Sequence, residues 1–583
     1  MTVDYAQLDR GRGVNYWALD PPLRAEVERT VPAEDHGAVA DRLEAFGEVV
    51  GTTVAENADV VDANGPVLHT YDRHGELVNE VEYHPAHLES ERAVYEAGAV
   101  ADSFRAPPGR AAPLPLLHTL ASVYLLSYAD IGLACPVAMT AGAALVLERF
   151  DDGANEDYRD GLLARDHDEL LQGAMFLTEE QGGSDVGAIE TVAEPDDGDG
   201  YRLTGEKWFC SNVDAEVVLT LARRPDAPAG TDGLSLFLVP RTTREGDRNH
   251  LVVRRLKDKL GTTSVPTGEV EFEATEAYLV GEPERGFRYM AEMLNYERLA
   301  NAFAACGAMG RALLESKRHA ADREAFGTTL DGHPLMRRDL VELTVAHEAA
   351  TAFTFDAGAA YQAAARDGDD RARRLMRALV PVAKLRTARL AVDVASYAME
   401  IQGGNGYVAD WVTHRLLRDA QVLPIWEGPE NILALDLLRA MATERAHEAV
   451  TARVRTYLDA ADEPALADLA GTVRDGLDEL ESGLAAVAER DEDYAELHAK
   501  ALANLVYDVY TAALLLDEAR RDLEDGDGRT ALVARRFVDD ALRDRPARGV
   551  ASGERLADEW FDAIARYAPV DPAAVETATA AAD

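Results

Sequence analysis

Residues 402–441 read QGGNGYVADWVTHRLLRDAQVLPIWEGPENILALDLLRAM. QGGNGY is too rich in glycine for a helix interior, where each glycine costs about 1 kcal/mol relative to alanine. It reads as a loop whose backbone approaches something closely: a phosphate, a ring or another chain. VTHRLLRDA is amphipathic, and Pro424, Gly428 and Pro429 then break the helical pattern before NILALDLLRAM resumes it. Glu427 lies in that break beside Ile425, Trp426 and Gly428. Two readings fit it. A loop carboxylate can cap the helix that follows; alternatively, poor solvation lifts its pKa toward the range of a general base.

Working outward, the texture changes three times. The first 60 residues read as an N-terminal extension, irregular at first and then helical after Pro21 and Pro22. Residues 61–172 show apolar positions at three- and four-residue spacing, as in LLHTLASVYLLSYADIG. Residues 173–282 carry short β-rich runs (YRLTGEKWFCSN, EVVLTLARR, LSLFLVP, TGEVEFEATEAYLV) separated by Gly, Pro and Asp, as an antiparallel sheet or barrel requires. Helical periodicity returns over 283–444, with DGDD (367–370) as an interhelical turn, and residues 445–583 form a further helical unit. The fold class read from this order is multidomain α+β.

The chain has 583 residues, 105 of them acidic against 59 basic, for a formal charge of -46. Its only lysines are Lys207, Lys257, Lys259, Lys317, Lys384 and Lys500. An acidic, lysine-poor surface suits very high salt, where screening over a few Å makes crowded carboxylates tolerable. A salt-adapted cytoplasm is the expected setting. The same charge argues against non-specific nucleic-acid binding, which draws on Lys and Arg contacts to phosphate. Cys135, Cys210 and Cys306 form no CxxC pair, so no metal site is expected. The N-terminus lacks the apolar run of a signal peptide. Residues 131–147, 17 without charge, read as a buried helix rather than a membrane span.

FLTEEQGGSDVGA (176–188), GEKWFCSN (205–212), REAFG (323–327) and the segment quoted first together resemble the acyl-CoA dehydrogenase family of flavoproteins, nearest its AidB-like, adaptive-response subgroup. The resemblance runs from about residue 60 to 441. It implies a helical domain, a middle antiparallel β domain and a C-terminal helical bundle, here followed by an extra helical domain. It also implies FAD, an acyl-CoA substrate, electron-transfer flavoprotein as acceptor and a homo-oligomer, dimer or tetramer. In that reading Glu427 takes the α-proton while the β-hydride goes to the flavin, and Arg439 holds the carboxylate loop. Glu427 follows Gly404 by 23 residues, as the family's spacing requires.

The remaining roles are also implied by resemblance. Leu177, Thr178, Gly183 and Ser184 would line the isoalloxazine, whose edge offers hydrogen-bonding atoms to hydroxyls and amides. Phe209 would lie beside the ring and Ser211 would give a hydroxyl. Arg323 would meet the FAD pyrophosphate, in some relatives that of a neighbouring subunit, with Phe326 packed beside the cofactor. Gly403, Gly404 and Asn405 would let the adenosine end pass close to backbone. Pro429 and Asn431 stand at FAD-contacting positions where many members carry Thr and Gln or Glu, and Glu180 stands where many carry proline.

Two other classes of function are compatible with the same scaffold. An AidB-like protein would protect DNA with little or no dehydrogenase turnover, through its C-terminal domain. Residues 445–583 hold 16 Arg plus Lys and 31 Asp plus Glu, a difference of -15. One strip there, Arg535, Arg536, Arg543, Arg545 and Arg548, is interspersed with Asp539, Asp540 and Asp544 and reads as a salt-bridged helix rather than a phosphate site. A flavin monooxygenase or nitroalkane oxidase on the same fold is the other, and a monooxygenase has no use for the base at Glu427.

Overall fold

The computed structural model describes residues 3–196, 198, 200–366, 368–461, 463–543 and 555–575. These form two compact units, one of Arg12–Tyr16 with Gly37–Ala300, the other of Met1–Gly11, Trp17–His36 and Asn301–Asp583. The chain opens with α1 (Tyr16–Leu19) and α2 (Pro21–Thr30). Asp20 caps α2 by accepting from the Leu23 amide, and the two prolines occupy the first turn, where a missing N–H costs nothing.

In the first unit, α3 (His36–Val49), α4 (Ala55–Ala63), α5 (Pro85–Glu96), α6 (Leu116–Ser127), α7 (Ile131–Phe150) and α8 (Glu156–Leu162) supply the helices. Of these, α7 is buried along most of its length, against α6, α8 and the first strand of the large sheet. It is long and apolar enough to cross a membrane, yet serves here as a core helix. Between α4 and α5 lies a hairpin, β1 (Val67–Tyr71) and β2 (Leu77–Glu82), inside a stretch expected to be helical. VLHTY and LVNEVE alternate in burial, and the DRHGE turn between them closes on the Asp72 carboxylate. So short an alternation was lost among the surrounding helices.

The large sheet comprises β3 (Gly173–Phe176), β4 (Val192–Pro195), β5 (Gly200–Ser211), β6 (Val217–Arg223), β7 (Leu234–Pro240), β8 (Leu251–Leu256) and β9 (Thr267–Val280). Pairings β6–β4, β4–β5, β5–β9, β9–β7 and β7–β6 close a circuit, with β3 added on β6 and β8 on β9. Most are antiparallel as expected. The departures are β3–β6, parallel from Gly173↔Val217 to Phe176↔Thr220, and one parallel bridge from β4 to β6. Residues 177–216 lie between β3 and β6, long enough for the crossover that parallel neighbours need.

The second unit is helical. The unit boundary falls inside α9 (Gly286–Asp322), which leads to a small hairpin, β10 (Glu324–Ala325) and β11 (Thr328–Thr329). Then come α10 (Pro334–Arg366) and α11 (Asp370–Ile401), packed as a pair and separated by a turn in which Asp369 caps α11; Asp367 of the expected turn lies outside the described residues. One helical turn, α12 (Gly404–Tyr407), precedes α13 (Thr413–Ala420) and α14 (Glu430–Glu444). After these come α15 (Ala446–Ala460), α16 (Ala467–Ala488), α17 (Glu492–Glu524), α18 (Arg529–Ala541), α19 (Leu556–Glu559) and α20 (Phe561–Arg566). α17 packs on α10, α14, α15, α16 and α18, so the C-terminal helices share a core with the bundle.

Candidate functional site

The expected residues fall into two sets, one in each unit. In the first, the segment after β3 is pinned by Glu179. This carboxylate is buried. It accepts from the Glu190 amide (2.6 Å), the Thr191 hydroxyl (2.6 Å) and Lys207 Nζ (2.8 Å). Burial works to raise its pKa, but Lys207 and these donors hold the carboxyl below its ordinary range. Burial in turn pulls the Lys207 ammonium down, and Glu179 opposes it. The Thr178 carbonyl accepts from the Trp208 amide (2.8 Å), joining the segment to β5. A Cβ on Gly183 would lie 2.3 Å from Thr178 Oγ1, so a side chain there would displace the Thr178 hydroxyl. Leu177 and Thr178 are half-buried; Ser184 is exposed.

Phe209 stands 57% exposed in a β5 whose register against β9 slips between Lys207 and Cys210. Such a bulge re-aims side chains, and alternation alone did not foretell it. Lys257 Nζ lies 3.6 Å from the Trp208 ring centroid and 4.8 Å from that of Phe209. Ser211 shares a hydrogen bond of 3.2 Å with Thr267.

In the second set, Glu427 adopts φ 56°, followed by Gly428 at φ 100°. A glutamate in the left-handed region is strained, and such strain concentrates at functional positions. The capping reading fails: Pro429 is the N-cap of α14, and no side chain caps it. Arg439, expected to hold this loop, is exposed and in no ion pair among the described residues. The loop is held instead by buried Lys384 of α11, whose Nζ donates to the Gly428 carbonyl at 2.6 Å, and by Asn301 Nδ2, which donates to the Leu423 carbonyl at 3.2 Å. Sequence reading missed both, although a lysine in so lysine-poor a chain was a signal.

QGGNGY is a capped turn rather than an open loop. Gly403, at φ 62°, ends α11 and starts α12, and nothing lies within 4 Å of a Cβ built on Gly403 or Gly404. Asn405 and Asn431 are exposed. Gln402 is buried, with neither side-chain polar atom hydrogen-bonded, and the Trp426 indole N–H is likewise buried without a partner. REAFG forms the β10–β11 hairpin. Its turn is Phe326 (φ 53°) and Gly327 (φ 88°), and Phe326 is 99% exposed beside an exposed Arg323.

Among the described residues, the arginines of the strip are spent in ion pairs. Arg535 meets Asp539 (3.8 Å), Arg536 meets Glu342 (2.9 Å) and Asp540, and Arg543 meets Asp539 (2.9 Å) and Asp468. Arg545, Arg548 and Asp544 lie outside the described residues.

Comparison with known proteins gives the family. Residues 7–169 match the adaptive response protein AidB N-terminal domain, 174–275 the acyl-CoA dehydrogenase middle domain and 284–442 the acyl-CoA dehydrogenase C-terminal domain. Acyl-CoA dehydrogenase family member 11 of Caenorhabditis elegans is 32% identical over 527 residues, covering 87% of this chain and 84% of its own. AidB of Escherichia coli (strain K12) is 34% identical over 430 residues, covering 70% and 76%. The chain belongs to the acyl-CoA dehydrogenase family. The crystal structure of Caenorhabditis elegans ACDH-11 in complex with C11-CoA superposes with TM-score 0.85 at 29% identity, over 93% of this chain and 96% of that one.

Family membership makes the protein a flavin-dependent oxidoreductase, with FAD as cofactor. The residues present fit that group. Open backbone at Gly403 and Gly404 leaves room for a ligand at van der Waals distance, and Arg323 offers an exposed cation. Phe209 and Phe326 present exposed aromatic surface.

Proposed function

We propose that this protein dehydrogenates an acyl-CoA thioester between Cα and Cβ, with Glu427 as the base that takes the α-proton. The observation that carries the reading is the strained Glu427, held in a break between two helices by a buried ammonium on the next residue's carbonyl. FAD, when bound, supplies the hydride acceptor. Thr178 and Ser211 give hydroxyls, and Leu177, Gly183, Ser184 and Phe209 shape the surface for the ring. Arg323 meets pyrophosphate charge. Phe326, Gly403, Gly404, Asn405, Pro429 and Asn431 form the rest of the cofactor set, and the loop-holding role expected of Arg439 passes to Lys384. Electron-transfer flavoprotein is the proposed acceptor. Self-association is proposed, with Phe326, 99% exposed at a turn tip, as a candidate contact.

The match to the AidB N-terminal domain favours a second reading, DNA protection with little turnover. The ion-paired state of Arg535, Arg536 and Arg543 weighs against it, because a guanidinium already bonded to carboxylates contributes little to phosphate binding. The test is anaerobic addition of a panel of acyl-CoAs, of graded length and branching, to the purified yellow protein. Bleaching of the flavin absorbance by at least one member supports the dehydrogenase. A flavin that no acyl-CoA reduces overturns it in favour of the second reading.

A further inference from the structure

Cations along α11 grip α14 and the loop that begins it. Arg373 pairs with Glu444 at 2.5 Å, Arg377 with Asp436 and Glu444, each at 2.9 Å, and Arg389 with Glu430 at 2.7 Å. Between Arg377 and Arg389 stands Lys384, fully buried, with Nζ 2.6 Å from the Gly428 carbonyl oxygen. These arginines bond side chain to side chain. Lys384 grips backbone, and it does so at the residue after Glu427.

That place matters for a covalent reason. The peptide joining Gly428 to Pro429 has no N–H, because proline lacks one. The Gly428 carbonyl is therefore the only hydrogen-bonding handle on that peptide. Glu427 and Gly428 both sit at positive φ, a conformation that a non-glycine residue keeps only when its surroundings enforce it. An ammonium bonded to a carbonyl is a charge-assisted bond, stronger and shorter than a neutral one. Its stem leaves a helix, the stiffest kind of element, so the anchor cannot follow the loop if the loop relaxes.

We infer that Lys384 is a positioning residue for the reaction: through the Gly428 carbonyl it holds the Glu427 backbone in the strained conformation that aims the carboxylate. This rests on the assignment of Glu427 as the base. Lys384 itself need touch neither substrate nor cofactor. Misplacing a reacting group by about 1 Å can cost roughly 100-fold in rate, so loss of the anchor should appear in the chemical step and not in binding.

The test uses the flavin-loaded protein and a double-mutant cycle with Lys384→Met and Glu427→Gln. Lys384→Met is expected to keep its flavin and its acyl-CoA affinity while flavin reduction slows about 10- to 100-fold. In the Glu427→Gln background the same change should cost almost nothing, because groups acting as a unit are non-additive. Lys384→Arg, which keeps the cation, should recover part of the rate. An unchanged rate per flavin, or an equal loss in both backgrounds, overturns the inference. Should Lys384→Met fail to fold, Lys384→Gln takes its place in the cycle. A second readout is independent of substrate: hydrogen exchange of the peptide spanning residues 421–432. Faster exchange in the Lys384 variant supports the anchor, and unchanged protection overturns it. If no acyl-CoA bleaches the parent, the dehydrogenase reading fails by itself, and exchange still decides whether Lys384 holds the loop.

Discussion

Lys317 is a cation buried where water cannot solvate it. Its Nζ lies 4.3 Å from the Tyr567 ring centroid and 5.4 Å from that of Tyr5, and donates to the Tyr567 hydroxyl at 3.2 Å. Burial pulls its pKa from 10.5 down to about 7; Glu348 and Asp20 oppose the shift and Arg529 adds to it. Between pH 10.5 and 7 the unfolded chain therefore takes up a proton that the folded one does not, so stability falls as pH falls through that window. Below it the cost is constant. Lys317→Met should accordingly raise the unfolding temperature at pH 7 by roughly 2–5 °C, with the gain fading toward pH 10. Calorimetry across that range checks it, and a gain independent of pH would refute the cause. The composition held a clue to this residue. Lys207, Lys317 and Lys384 are three of only six lysines, and all three are buried. A chain that avoids lysine on its surface keeps it where a compact ammonium has an interior task. Glu427 was legible because proline and glycine break the helices around it. Its φ and its Lys384 anchor were not, since that contact joins residues 44 apart in sequence. Arg439 was placed by family resemblance, and a matching position does not say which way a helix residue faces.

At the scale of elements, α2 is fastened to α17 by one guanidinium. Arg29 meets Glu26 at 2.8 Å, Asp522 at 3.0 Å and Glu518 at 3.3 Å. Burial raises the pKa of Glu26, with Arg29 opposing; burial and then the nearby Glu26 charge raise that of Glu518. A carboxyl with a raised folded pKa favours folding in acid, and that contribution is lost as pH climbs through the raised value. Removing Arg29 leaves both carboxyls buried without their cation. Arg29→Met should therefore cost about 3–5 kcal/mol at pH 8, and the deficit should shrink at pH 5, where the carboxyls take up protons. Urea unfolding at the two pH values measures this; a deficit that grew in acid would contradict it. The N-terminal residues had been expected as an extension, because a short amphipathic helix does not announce its distant partner. Long helices and long strands were legible from periodicity, as α9, α11 and α17 illustrate. The β1–β2 hairpin was not, because its alternation is so short, and the parallel β3–β6 pair was not, because it joins residues remote in sequence.

Over the whole molecule, the order helical, β, helical was legible from texture, while the family came from four short motifs whose residues now divide between two units. Charge is the other property that belongs to no single element. Acidic residues exceed basic ones by 46, and many of the described arginines are already engaged in ion pairs, as at Arg29, Arg377 and Arg536. The surplus is therefore carboxylate facing carboxylate. At about 0.1 M salt the screening length is roughly 10 Å, so neighbouring carboxylates repel across the surface; at about 1 M it is roughly 3 Å, shorter than most of their separations. Self-repulsion of this kind opposes the compact state more than the expanded one. We propose that the protein works in a salt-rich cytoplasm, and that its unfolding temperature climbs with KCl, most of the gain arriving by about 1 M, where screening is nearly complete. Sucrose at matched osmolarity strengthens burial without screening charge, so it should reproduce only a minor part of the gain. A midpoint that is flat or falling in KCl, or one that sucrose raises equally, would sever the acidic composition from any need for salt.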